Sequence, residues 1–326
     1  MAKKLRILFI ALFCLTVSIF QYNVVYADNS VYLGGQSAGF TMQTEGAYVV
    51  GITGVITENG NISPADIAGI KVGDIIISIN GEKISDSASI ENAIKDGEKK
   101  IIKYKRNDNE ILTDITPALD INGKYRLGIY VKNSINGIGT ITYIKGDSFA
   151  SLGHPVLNDD GELLKITGGD LFKCNITGVV KGMRGKAGEL RGAFINNGVI
   201  GRILLNKETG VYGKVNNYFF ESYNLTKIDV GSANPGKAQI YSTVSGNEVK
   251  EYSISIIKVD MFNRENKNFV IKIEDENLLN ITNGIVQGMS GSPIVQNGKL
   301  VGAVTHVFIN DPTRGFGIAI DKMLNN

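Results

Sequence analysis

The chain has 326 residues, with 39 glycines, 6 prolines and no tryptophan, and 43% of its residues are hydrophobic. This composition excludes wholesale disorder, and the glycine excess favours a turn-rich β architecture over a helical bundle. The basic residues exceed the acidic ones by only 34 − 32 = 2 and form no block, so nucleic acid is not an expected partner. With two histidines and two cysteines in all, we expect no metal site built from these residues and predict no cofactor.

Residues 1–27 have the pattern of an export signal. Three basic residues precede an apolar run over Ile7–Phe20, and Val25-Tyr26-Ala27 is typical of a cleavage site. The run is shorter than the roughly 20 residues of a membrane span, which favours a cleaved signal over the alternative, an uncleaved anchor. Either way, the rest of the chain is expected outside the cytoplasm. Cleavage would leave Cys174 as the single cysteine, so we predict a buried structural thiol and no intramolecular disulfide.

The next hundred residues alternate strand and helix signals. The expected elements are short strands with tight turns over Val31–Gly54, a helix over Ser63–Gly69, a buried strand over Asp74–Ile79, a turn at Asn80-Gly81, a helix over Ser85–Ile94, and a hairpin built from Lys100–Tyr104 and Ile111–Ile115. These signals predict an α+β unit.

The run AGIKVGDII at 68–76, followed by Ile79-Asn80-Gly81, resembles a PDZ domain of the bacterial protease type, covering about residues 31–118. Such a domain captures an extended peptide as an added strand, and its carboxylate-binding loop needs small residues. We prefer Gln36-Ser37-Ala38-Gly39-Phe40 for this loop, with peptide contacts at Ser37, Ala38, Gly39 and Phe40. The alternative is Thr44–Tyr48.

From Tyr125 to Asn326 the chain consists of short strand-like runs separated by Gly, Asn and Asp, with no long amphipathic helix. This texture predicts a second domain, over 125–326, that is an all-β barrel or sandwich.

The run GIVQGMSGSPIV at 284–295 is typical of the way a β-barrel serine peptidase exposes its nucleophile. In this arrangement Ser290 is the nucleophile, and the amides of Gly288 and Ser290 face a developing oxyanion. A side chain at Gly288 or Gly291 would crowd the substrate carbonyl. The alternative is an ordinary glycine-rich turn with a satisfied hydroxyl.

A serine nucleophile needs a base, and the chain has two histidines. His154 follows a glycine at the end of a predicted strand, and Pro155 pushes it to an extended conformation. His306 lies within an apolar run, facing either the core or a substrate cleft. We prefer His154 as the general base, since it and Ser290 are far enough apart to come from different halves of a double barrel.

A carboxylate should orient the imidazole. The candidates are Asp159, Asp160, Asp170, Asp229, Asp275 and Asp311. Periodicity does not choose among them, although Asp275 follows a predicted strand and lies 15 residues before Ser290.

Several motifs together resemble the stage IV sporulation protein B (SpoIVB) peptidase family of endospore-forming bacteria. They are the segments GGQS at 34–37, YRLGIY at 125–130, LGH at 152–154, the run at 284–294 and GKLVGAVTHVFIND at 298–311. The resemblance implies a catalytic triad of His154, Asp275 and Ser290. It also implies a mainly β fold, in which a PDZ domain precedes a chymotrypsin-like double-barrel serine peptidase domain.

The resemblance further implies a role in sporulation. Such a protein is exported across the forespore membrane into the intermembrane space, where it cleaves itself in trans. It also cleaves a membrane-bound regulator of an intramembrane protease, which triggers activation of the late mother-cell sigma factor. The alternative is a non-catalytic secreted adaptor, in which the PDZ domain tethers a partner and the peptidase domain is latent or degenerate.

Overall fold

The computed structural model describes residues 30–107, 109–158 and 161–325, apart from the side chains of residues 196 and 197. The predicted export signal at 1–27 lies outside the described residues. Within the described ranges, every helix is too short or too polar to cross a bilayer.

Strands make up most of the described chain. They are β1 (Ser30–Leu33), β2 (Ser37–Ile52), β3 (Val55–Thr57), β4 (Gly60–Ile62), β5 (Ile75–Ile79), β6 (Glu82–Lys83), β7 (Lys100–Arg106), β8 (Asn109–Ile115), β9 (Ala118–Leu119), β10 (Tyr125–Arg126), β11 (Ile129–Lys145), β12 (Ser148–Ser151), β13 (Gly168–Val180), β14 (Gly188–Lys207), β15 (Gly210–Val215), β16 (Lys227–Val230), β17 (Gly236–Ser242), β18 (Lys250–Val259), β19 (Phe269–Ile273), β20 (Val286–Gln287), β21 (Pro293–Gln296), β22 (Lys299–Phe308) and β23 (Asp311–Ala319). The helices are α1 (Pro64–Ile67), α2 (Ser87–Ile94), α3 (Asn217–Ser222), α4 (Glu276–Thr282) and α5 (Ile320–Leu324).

Six antiparallel strands close a first barrel in the order β2, β13, β14, β15, β12, β11 and back to β2. Closure leaves no unpaired edge, so large apolar side chains can fill the interior. The buried residues of this core include Phe40, Ile141, Phe149, Leu171 and Ile203.

A second six-stranded barrel closes in the order β17, β18, β19, β23, β22, β21 and back to β17. Its core includes Ile240, Ile256, Phe269, Ile294 and Val304. The predicted mainly β fold with a double barrel is confirmed.

A third unit is inserted between β2 and β11. It contains β3 to β8, α1 and α2, and has its own core, which includes Ile76, Ile79, Ile94, Ile102 and Tyr104. Within it, Asp86 caps α2 by accepting the Ser89 amide at 2.8 Å. The helix therefore begins two residues later than the predicted start at Ser85.

The predicted N-terminal boundary of this unit, at residue 31, is wrong. Val31 packs between the barrels with Leu300 and Ala303. The first half of β2 pairs with β13, whereas Ala47, in its second half, packs in the core of the inserted unit. Most of the segment predicted as short strands with tight turns, Val31–Gly54, is therefore one strand of 16 residues, β2, which is shared by two cores.

Cys174 is free and buried, as predicted. Burial raises the pKa of its thiol to about 11, because the thiolate would lose its hydration. The described structure thus gives Cys174 the character of a small core residue.

Candidate active site

The turn Gly288–Gly291, here called the nucleophile turn, carries Ser290 between β20 and β21. Gly288 and Gly291 have φ of +96° and +92°, which favour glycine. A Cβ on Gly291 would overlap the Thr140 carbonyl oxygen, and one on Gly288 would lie 3.0 Å from Leu190 Cβ. Backbone conformation and protein packing therefore require both glycines, and the crowding of a substrate carbonyl stays a prediction.

The amides of the nucleophile turn divide into two sets. Those of Met289 and Gly291 donate to the carbonyls of Val286 and Val304, at 3.1 and 2.8 Å. The Gly288 and Ser290 amides donate to no backbone carbonyl within the described ranges. The Gly288 and Ser290 amides, which the sequence predicts as the donors to an oxyanion, are thus not engaged by backbone carbonyls.

Ser290 is half-buried, and its hydroxyl donates to the carbonyl of Thr305 on β22 at 2.7 Å. This bond holds Oγ against the second barrel. To transfer its proton to an imidazole, the hydroxyl must first rotate away from the Thr305 carbonyl.

His154 follows β12 of the first barrel after two residues of positive φ, Leu152 at 66° and Gly153 at 71°. Its Nδ1 lies 2.8 Å from the carbonyl oxygen of Pro155. Because a carbonyl can only accept, this hydrogen bond places the proton on Nδ1 and leaves the lone pair on Nε2. Burial lowers the pKa of His154, although the Pro155 carbonyl partly opposes this effect. The ring is therefore held in the neutral form that a general base requires.

His306, on β22, faces His154 with a ring-centroid separation of 4.8 Å and an interplanar angle of 39°. It is exposed at the mouth of the site. Although the residue is exposed, nearby protein atoms displace part of the hydration of its ring and lower its pKa, and the neighbouring His154 contributes to the same effect. Of the two locations left open by the sequence, the structure places His306 at the cleft.

A cavity of about 540 Å³ brings these groups together, with His154, Ser290, Gly288 and His306 on its wall. The remaining wall is mostly apolar, with Phe40, Met42, Leu152, Val156, Ile285 and Val286 among its members. None of its described lining residues is Asp, Glu, Lys or Arg. Elsewhere in the described chain, no three His, Cys, Asp or Glu side chains cluster closely enough to hold a metal ion.

Asp275 has a defined structural partner. It is the N-cap residue of α4, and its carboxylate accepts the amide of Leu278 at 2.9 Å. It is not among the described lining residues of the cavity, so its role as orienter of His154 stays a prediction. Among the other candidates, Asp311 accepts from Thr313, and residues 159 and 160 lie outside the described residues.

The prediction that Ser37, Ala38, Gly39 and Phe40 form a peptide-binding loop is wrong. All four lie in β2, where Ala38, Gly39 and Phe40 pair with both β11 and β13, and Ser37 pairs with β11. Ala38 and Phe40 are buried in the first barrel. Because backbone groups already paired on both sides have none left to bind a peptide, this segment cannot add a strand. The alternative segment, Thr44–Tyr48, is also part of β2.

A second cavity, of about 480 Å³, is the better candidate for peptide binding and is here called the α2 groove. It lies between α2, which contributes Ile90 and Ile94, and the segment 125–131. Gly128 in this segment has φ +74°, and a Cβ there would overlap the Thr53 carbonyl. Arg126, on the rim, forms an ion pair with Glu91 at 2.7 Å. Sequence reasoning missed this groove, although its Leu-Gly-Ile turn lies within the YRLGIY motif.

A family model described as SpoIVB peptidase S55 matches residues 123–324, and one described as a PDZ domain matches residues 59–106. The first covers more than half of the chain. The second falls within the inserted unit.

Curated relatives match over short regions. Serine protease HTRA1B of Danio rerio is 36% identical over 74 residues, or 23% of this chain and 14% of that protein. Serine protease HTRA1 of Xenopus tropicalis is 37% identical over 83 residues, or 25% of this chain and 16% of that protein. The chain thus spans about one-seventh of the length of the curated relatives it matches.

Solved structures match at low overall similarity. The PDZ domain of the SdrC-like protein of Listeria monocytogenes is 27% identical, with a TM-score of 0.22, and the match covers 27% of this chain and 87% of that one. The Rv3671c protease of M. tuberculosis, active form, is 13% identical, with a TM-score of 0.32, over 59% of this chain and 72% of that one.

Proposed function

Because the chain belongs to the SpoIVB peptidase S55 family, we propose that it is a serine endopeptidase with Ser290 as nucleophile and His154 as general base. One observation carries this proposal. Two residues far apart in sequence, one from each barrel, line the same cavity beside two amides that the backbone of the nucleophile turn does not use.

The reaction begins when the Ser290 hydroxyl rotates from the Thr305 carbonyl towards Nε2 of His154. As Oγ attacks the substrate carbonyl carbon, its proton passes to Nε2 and the carbonyl oxygen becomes an oxyanion. The amides of Gly288 and Ser290 stabilise that charge. The imidazolium then gives the proton to the leaving amine, and a water molecule hydrolyses the acyl-enzyme by the same route.

The imidazole needs an acceptor at Nδ1 throughout this cycle. In the described geometry the Pro155 carbonyl supplies it. For Asp275 to take over this role, as the family resemblance implies, one of its carboxylate oxygens would have to replace the Pro155 carbonyl at Nδ1. We propose the Pro155 carbonyl as the acceptor in this geometry. The Asp275 carboxylate is the alternative implied by the family resemblance, and Asp275→Asn distinguishes the two.

We propose that substrates are proteins or peptides and that the α2 groove captures an extended segment of them. Strand addition is the recognition mode of PDZ domains, and the groove combines an apolar floor with a charged rim at Glu91, Asp120 and Arg126. The physiological proposal follows from family membership alone. It comprises export into the intermembrane space of the forespore, self-cleavage in trans, and cleavage of a membrane-bound regulator that leads to activation of the late mother-cell sigma factor.

A fluorophosphonate probe tests the catalytic proposal, since it phosphonylates an activated serine. We expect one adduct on the full chain, mapped by peptide mass spectrometry to Ser290, and none on the His154→Ala variant. An adduct at Ser292 or on several surface serines would contradict the assignment. An unlabelled chain that still binds peptides through the α2 groove would favour the non-catalytic adaptor.

A further inference from the structure

Thr140 lies in β11 of the first barrel with no exposed surface. Its hydroxyl donates to the Gly288 carbonyl at 2.8 Å, and its amide donates to the Ser290 carbonyl at 2.9 Å. On its other side, its carbonyl accepts the hydroxyl of Ser151, three residues before His154, at 2.7 Å. Thr140 therefore joins the nucleophile turn to the segment that leads to the base.

The carbonyls that Thr140 holds alternate along the chain with the amides available to an oxyanion. Each peptide unit is planar, and Thr140 fixes the units that join Gly288 to Met289 and Ser290 to Gly291. The Ser290 amide belongs to the unit between these two, so both ends of that unit are restrained. The Gly288 amide belongs to the unit just before the first of them. Gly288 has no side chain to limit its own dihedral angles. An external donor must therefore hold its carbonyl, and the Thr140 hydroxyl does so from the opposite barrel.

A second threonine acts on the same turn. Thr142 lies two residues along β11, hence on the same side of the strand, and its hydroxyl donates to the Gly291 carbonyl at 2.8 Å. Between them, Ile141 is buried in the core of the first barrel. The two buried threonines of this strand are thus accounted for by the carbonyls of the nucleophile turn.

We propose that Thr140 is a positioning residue that sets the direction of the Gly288 and Ser290 amides, and so determines the rate of the acylation step. This inference rests on the proposed function, because it assigns Thr140 a part in the same reaction. Thr140 does not act on substrate itself. It acts through the carbonyls of the nucleophile turn.

The test is turnover of p-nitrophenyl acetate by the full chain, with kcat and KM measured separately. Thr140→Val removes the hydroxyl and keeps the shape, so we expect kcat to fall about 100-fold, the effect of losing one oxyanion donor. KM should change by less than about threefold, since ground-state binding does not use the oxyanion contacts. Thr140→Ser keeps the hydroxyl and should restore kcat to within about threefold of wild type on the same reasoning.

Thr243→Val is the matched control. Thr243 is also buried and donates its hydroxyl to a backbone carbonyl, that of Gly35, at 3.0 Å, but it does not line the cavity. It should lower Tm about as much as Thr140→Val and leave kcat unchanged. Equal kcat for the two valine variants, or a Thr140→Ser variant as slow as Thr140→Val, would overturn the proposal. Wild-type turnover no faster than that of Ser290→Ala would instead refute the proposed function.

Discussion

The active-site cavity and the α2 groove are two clefts of similar size that share one strand. Residues 135–138 of β11 line the first, and residues 129–131 of the same strand line the second. The described wall of the cavity has no Asp, Glu, Lys or Arg, whereas the groove has Glu91, Asp120 and Arg126 at its rim. An apolar, uncharged wall favours the neutral form of His154 for proton transfer, while a charged rim suits selection of a partner.

The largest expected effect distinguishes catalysis in the active-site cavity from peptide binding in the α2 groove. Ser290→Ala should reduce turnover by about 10⁶-fold, because no other group in the cavity replaces the nucleophile. Peptide binding in the α2 groove should be unchanged, as measured by fluorescence polarisation. Ser292→Ala is the control, since Ser292 is buried and donates to the Ser242 hydroxyl at 2.9 Å. It should cost about 1 kcal/mol of stability and leave turnover intact. Similar losses in both variants would contradict the assignment.

The next largest effect is expected at Gly291, where the nucleophile turn packs closely against the first barrel. Gly291→Ala should reduce kcat by about 100-fold, because a displacement of about 1 Å at the nucleophile has that effect. It should also destabilise the fold, since the new Cβ would overlap the Thr140 carbonyl.

Gly298→Ala is the matched control for Gly291→Ala, with φ +72° and open space around the position of its Cβ. It should cost about 1–2 kcal/mol for the left-handed conformation alone, with kcat unchanged. Thermal melts and turnover assays compare the two variants. An equal loss of stability in both would mean that packing against the first barrel is unimportant.

A third substitution is expected to affect peptide binding in the α2 groove without affecting catalysis. Ile56 lines it and is 61% exposed. Placing a charge there should weaken binding of a carboxylate-terminated peptide about tenfold, the equivalent of roughly 1.4 kcal/mol of apolar contact. Ile56→Asp should leave hydrolysis of a small ester unchanged. Ile67→Asp, at a position 75% exposed and outside the groove, is the control. If both variants bind peptide as the wild type does, the α2 groove is not the capture site.

The pH dependence tests whether the cavity keeps His154 neutral. Burial lowers its pKa from the ordinary 6.5, so the neutral, active form persists below that pH. Activity should therefore be fully present above pH 6.5 and be lost only as the pH falls through the lowered pKa. Between the lowered pKa and 6.5, the folded state binds fewer protons than the unfolded state. The free energy of unfolding should therefore decrease as the pH falls through this range. An acid limb of kcat/KM centred above 6.5 would show that the site is more hydrated than described.

The smallest expected effect distinguishes a helix cap from a triad member. Asparagine is as good an N-cap as aspartate, so Asp275→Asn should preserve α4. With Nδ1 of His154 bonded to Pro155, we expect kcat to stay within about threefold of wild type, against about 10⁴-fold for loss of an orienting carboxylate. Asp275→Ala should cost about 1 kcal/mol in a thermal melt. A drop in kcat near 10⁴-fold for Asp275→Asn would establish the orienting role predicted from the sequence.

Patterns of adjacent residues predicted the structural features that depend on short stretches of sequence. The Asn80-Gly81 turn is present, with φ of +49° and +83°, because its chemistry depends on two adjacent residues. The strand-rich second domain and the burial of Cys174 were also predictable, since periodicity and composition carry them. The shared strand β2 was not, because the sequence does not show that its two halves pack in different cores.

The sequence by itself determined the mainly β class and the glycine-bearing turn around Ser290. It also limited the candidates for the general base to two histidines. Residue types at adjacent positions restrict backbone conformation and chemistry directly. Only the tertiary structure decided that β2 belongs to both units, that a groove lies between α2 and the segment 125–131, and that Thr140 contacts the nucleophile turn. Each of these depends on contacts between residues distant in the chain, which no local pattern encodes.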